Sequence, residues 1–83
     1  MSEAEQLKKE CMAMAVAELE QLMNIIGDLG YRGYRVSICR LKGYSYGQCA
    51  QNLNISKSLA QWYWESCQKK GYDIVLKQIF KMK

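Results

Sequence analysis

From Ser2 to about Ile26 apolar and polar positions alternate with the period of an α-helix. Met12, Ala15, Val16, Leu19, Met23 and Ile26 form one stripe at three- and four-residue intervals, and Leu7, Cys11, Met14, Leu22 and Ile25 widen it. The residues between are mostly Glu, Gln, Lys and Ala, which are strong helix formers, and Ser2 followed by Glu5 fits a capping box. The pattern predicts one long first helix. Its apolar surface is wider than one small domain needs, so the expectation is a symmetric homodimer held through Cys11, Met14, Leu22 and Ile25.

Glycines at 27, 30 and 33 interrupt the pattern and read as the stop of that helix and the turn after it. The next stretch, Tyr34 to Lys42, is ambiguous. Val36, Ile38 and Arg40 alternate as in a strand, whereas Tyr34, Ile38 and Leu41 recur at helical spacing. Gly43 supplies a helix stop, which favours the helix. Ser45 then caps a short helix to about Asn52, and Ser56 caps a longer one to about Lys69, ended by Gly71. A last basic amphipathic helix carries Ile74, Val75, Leu76, Ile79 and Phe80, with Lys77 and Lys81 along one edge. The expected fold class is all-α, a single domain over residues 1–83 with about five helices.

Composition adds little to this until charge is mapped. Of 83 residues 49% are apolar and none is proline, which suits a compact helical domain whose small core gains from self-association. Residues 1–30 hold Lys8 and Lys9 against Glu3, Glu5, Glu10, Glu18, Glu20 and Asp28, a net −4. Residues 31–83 hold ten Lys and Arg against Glu65 and Asp73, a net +8. An acidic front and a basic back suggest that the C-terminal part binds a polyanion, with nucleic acid first among the candidates and a solvated basic face as the alternative.

Candidate chemistry is sparse. The chain has no histidine, so the commonest general base is missing, and no nucleophile can be paired with a base. Cys11, Cys39, Cys49 and Cys67 are 28, 10 and 18 residues apart, a spacing that matches no zinc or redox motif. They are expected to be reduced, semi-buried small hydrophobes. No enzyme activity, metal or cofactor is expected. No apolar run approaches the roughly 18 residues of a membrane span, and the acidic start lacks the basic region of a signal peptide, so a cytoplasmic protein without membrane contact is expected.

The stretch "YSYGQCAQNLNISKSLAQWYWESC" resembles the helix-turn-helix of bacterial and phage transcription regulators, and "LKGYSYGQCAQNLNISKS" is especially similar to the version in sigma-factor region 4. The resemblance covers residues 41–68. Each motif position has a physical reason. Ala50 is small where the two helices cross, while Leu53, Ile55, Ala60 and Tyr63 supply the apolar wedge between them. Asn54 stands where glycine is usual, and asparagine best tolerates left-handed backbone among the other residues. Cys49 departs from the more common branched aliphatic but keeps the site apolar.

The resemblance implies sequence-specific binding to double-stranded DNA by a small transcriptional regulator of phage or mobile-element type, with the second motif helix in the major groove. Helical geometry divides that helix. Ala60, Tyr63, Trp64 and Cys67 fall on an inner face, and Lys57, Ser58, Gln61, Trp62 and Glu65 on an outer, base-reading one. Gln61 suits an adenine edge, Lys57 a guanine or phosphate, Ser58 either, and Glu65 cytosine N4 or the orientation of a neighbour. Trp62 suits a thymine methyl or the sugar-phosphate backbone, with packing under the last helix or a dimer mate as its alternative. Arg40, Lys42, Tyr44, Tyr46, Lys69 and Lys70 are the candidate phosphate contacts, with half-buried packing the alternative for the two tyrosines. RNA polymerase or another transcription component is a further candidate partner. The competing function is a protein-interaction adapter or a phage packaging component built on the same motif.

Overall fold

A computed structural model of the chain describes residues 4–5 and 15–82. The expected Ser2 cap and the residues Leu7, Cys11, Met12 and Met14 lie outside that range. Among the described residues the fold is all-helical: α1 (Val16–Leu41), α2 (Tyr46–Leu53), α3 (Lys57–Lys69) and α4 (Tyr72–Ile79). No helix among them is long and apolar enough to cross a membrane.

Among the described residues four helices from Val16 onward stand where about five were expected for the chain, because the segments on either side of Gly30 run on as one kinked helix. Gly27 is helical and open to solvent. Only Gly30 leaves helical geometry, at φ 81 and ψ 163, a region essentially reserved for glycine. It kinks α1 into two halves, residues 16–29 and 31–41. Gly33 is helical again, and a Cβ there would lie 2.8 Å from both Cβ of Leu29 and Cδ1 of Tyr63. Its role is close packing against α3.

The second half of α1 is the centre of the molecule. Tyr34, Val36, Ser37, Ile38 and Cys39 are all buried, and α1 packs on each of the other three helices. A helix covered on most of its sides has no single narrow apolar stripe. This is why Tyr34 to Lys42 looks as much like a strand as a helix in sequence. Ser37 is the one buried polar residue among those described, and its Oγ donates to the Gly33 carbonyl at 2.8 Å. The half ends as expected at Gly43: Gly43 N donates to Arg40 O and Tyr44 N to Cys39 O, a Schellman closure.

The first half of α1 buries a different stripe from the one expected. Leu22 and Ile25, assigned to a dimer contact, are 0% and 2% exposed in this chain's own core with Leu29. Val16 and Met23, members of the main apolar stripe, are 74% and 54% exposed. Neighbouring helical positions differ by about 100° around the axis, so an apolar helix offers several stripes.

The remaining boundaries follow their caps. Ser45 and Gln48 form a reciprocal capping box at the start of α2, and Ser56 Oγ accepts from Leu59 N at 3.1 Å at the start of α3. Asn54, between them, is left-handed at φ 55 and ψ 47, and the next amide, Ile55 N, closes on Ala50 O at 3.0 Å. Gly71 at φ 74 separates α3 from α4. Ala50, Ala60, Trp64, Cys67, Leu76 and Ile79 complete the core.

Candidate nucleic-acid interface

The two faces of α3 separate as helical spacing requires. Ala60, Trp64 and Cys67 are buried, and Leu59 and Tyr63 are half-buried. Lys57, Ser58, Gln61, Trp62 and Glu65 are all exposed. Trp62 is 58% exposed, its ring meeting the edge of Tyr63 with centroids 5.3 Å apart. Gln61 and Glu65 are joined, Gln61 Nε2 donating to Glu65 Oε1 at 2.9 Å. Lys69 is exposed seven residues beyond Trp62, so Ser58, Trp62, Glu65 and Lys69 run along one edge of the helix.

The first turn of α3 holds Lys57 and no acidic residue, and the first turn of α2 holds no acidic residue either. Helix N-termini carry partial positive charge that acidic side chains normally complement. Here Lys57 adds to the positive potential.

The six candidate phosphate contacts divide. Lys42 and Lys69 are exposed, and Tyr44 is 42% exposed. Arg40 is half-buried and occupied: Nη1 donates to the Tyr44 carbonyl at 2.7 Å, and the guanidinium carbon lies 4.4 Å from the Tyr46 ring centroid and 5.8 Å from that of Trp64. Arg40, a candidate phosphate contact, thus has partners within its own chain. It ties the end of α1 to α2 and α3, and Tyr46 is half-buried beneath it. Lys70 is also engaged, its Nζ 2.7 Å from Asp28 Oδ2. Asp28 accepts from the Tyr72 hydroxyl as well. The hydrogen bonds from Lys70 and then Tyr72 hold the Asp28 carboxyl below its ordinary range, and Asp28 in turn raises Tyr72.

Neither arrangement was visible in sequence. Asp28 and Lys70 are 42 residues apart, and nothing in their local pattern links them. Arg40 is four residues from Tyr44, a weak local signal, but its stacking on Tyr46 depends on how α2 folds back.

The described cysteines are packing groups. Cys39, Cys49 and Cys67 are buried and free. Burial, reinforced by the neighbouring Cys39 thiol, pushes Cys49 up to about 11, and burial raises Cys67 as well. Both are neutral, unreactive thiols at ordinary pH. Among the described residues no cluster of three or more His, Cys, Asp or Glu is placed to hold a metal ion.

No family model matches the chain, and no curated protein or solved structure shows significant similarity to it.

Proposed function

We propose that the chain is a small transcriptional regulator that binds double-stranded DNA in a sequence-specific manner, with α2 and α3 acting as a helix-turn-helix. The observation that carries this reading is the outer face of α3. Its first two turns present Lys57, Ser58, Gln61 and Trp62 to solvent, while its opposite face is anchored by Ala60, Trp64 and Cys67. In this reading α3 enters the major groove N-terminus first, Gln61 and Ser58 meet base edges, and Lys57, Lys42 and Lys69 meet phosphates. Arg40 and Lys70 hold the frame that presents them.

A homodimer on a pseudo-palindrome, with recognition helices about 34 Å apart, belongs to the same proposal. Leu22 and Ile25 have no part in it, being committed to the core.

The test is duplex binding across a salt series. A regulator loses affinity steeply as salt rises and prefers some sequences over others. A second reading, a protein-interaction adapter or packaging component, is favoured by the exposure of Trp62, since tryptophan is the residue most enriched at protein hot spots. Salt-insensitive behaviour without duplex binding would select it.

A further inference from the structure

We infer that Glu65 is a positioning residue that presets Gln61 to read adenine, an inference that rests on the DNA-binding reading above. Gln61 Nε2 donates to Glu65 Oε1 at 2.9 Å across one turn of α3, and both side chains are exposed. A carboxylate offers only acceptors, so the amide must turn its nitrogen toward Glu65 and not its oxygen. One N–H and the carbonyl Oε1 then remain for a ligand. The major-groove edge of adenine offers N6–H as donor and N7 as acceptor, which is the complementary pair. Guanine offers two acceptors, O6 and N7. With one N–H already committed, Gln61 can serve only one of them and sets its own oxygen against the other.

Without a partner the terminal torsion of glutamine is broad, and both N–H groups are free to point outward. The Glu65 contact removes that freedom before binding. Glu65 is poorly placed to read a base itself, because Oε1 is already engaged and the residue lies eight positions beyond Lys57, about 12 Å along the axis. Its negative charge also opposes approach to phosphates, so the residue weakens overall affinity while sharpening choice.

The experiment is selection of bound sites from a random duplex library with the full chain and three variants, Gln61→Ala, Glu65→Ala and Glu65→Gln, each checked for helical content. The natural chain should enrich adenine at one base pair per half-site, and Gln61→Ala should lose that preference alone. Glu65→Ala should weaken it about two- to fivefold at the same base pair, since an exposed pair of this kind shifts its own equilibrium about twofold in water and more once the groove excludes solvent. Glu65→Gln, whose amide still accepts but can also donate, should fix the orientation only in part, keep an adenine preference between those of the natural chain and Glu65→Ala, and bind all duplexes more tightly. The inference is overturned if Glu65→Ala alters a different base pair, leaves the adenine preference intact, or keeps as much of it as Glu65→Gln does. Absence of any enriched sequence with the natural chain removes the DNA-binding reading and this inference together; the other failures remove the inference alone.

Discussion

Gly33 and Tyr63 are in such close contact that a methyl group added to Gly33 would lie 2.8 Å from the Tyr63 ring. The contact brings the second half of α1 against the inner face of α3, the helix whose outer face is the candidate interface. Gly33→Ala should therefore destabilise the fold by about 1–3 kcal/mol through overpacking. Gly27→Ala should do the reverse. Gly27 is helical with nothing near its Cβ position, so alanine should add about 0.5–1 kcal/mol. Thermal melts followed by circular dichroism should move in opposite directions for the two variants.

Arg40 is expected to act on stability and not on salt-dependent binding. Its guanidinium carbon lies 4.4 Å from the Tyr46 ring centroid, and Nη1 reaches the Tyr44 carbonyl at 2.7 Å. Arg40→Lys keeps the charge but loses the planar group, and should cost about 1 kcal/mol. In duplex binding the slope of log affinity against log salt should stay as in the natural chain; a clear drop in that slope would make Arg40 a phosphate contact.

Lys69 and Lys70 should differ despite adjacency. Lys69 is exposed on the edge shared with Trp62, whereas Lys70 is bound to Asp28. Lys69→Ala should weaken binding to all duplexes alike and lower the salt slope by about one, with Lys70→Ala producing a smaller change. Salt titrations of the two variants on one duplex compare them directly.

Asp28 gives the fold an acid-sensitive contact. Its folded-state pKa is depressed by Lys70 and Tyr72, so its contribution is complete above the ordinary value of 3.8 and lost as pH falls through the lower folded value. The contribution is that of an exposed pair, hence small. Asp28→Asn should lower the melting temperature at neutral pH, and the difference from the natural chain should shrink as pH drops below 3.8. A difference unchanged across that window would show that the carboxylate charge has no part in it.

Leu22 and Met23 test which stripe of α1 is core. Leu22→Ala should cost about 2–5 kcal/mol by opening a cavity, whatever the protein concentration. Met23→Ala, at a position 54% exposed, should leave unfolding free energy within about 0.5 kcal/mol. Chemical denaturation at two protein concentrations separates these outcomes from a dimer effect.

Much of the C-terminal architecture was legible because it is written in local chemistry. Ser45, Gly43, Asn54, Ser56 and Gly71 each mark a boundary through their own backbone or capping preference, and the structure places every one of them at a helix end. The two faces of α3 followed from spacing alone, since residues three and four apart must share a side. The N-terminal half was less legible. Three glycines in seven residues look alike in sequence, yet Gly27 continues the helix, Gly30 breaks it and Gly33 admits Tyr63.

By itself the sequence determined the helical class, the helix ends from Gly43 onward, the inner and outer faces of α3 and the basic character of the C-terminal half, because these depend on neighbours a few residues away. Only the tertiary structure decided that Leu22 and Ile25 turn inward while Met23 turns out, that Arg40 lies on Tyr46, and that Lys70 is held by Asp28. Those outcomes depend on how helices distant in sequence return to one another. An apolar stripe or a charge cannot select its partner until that return has been made.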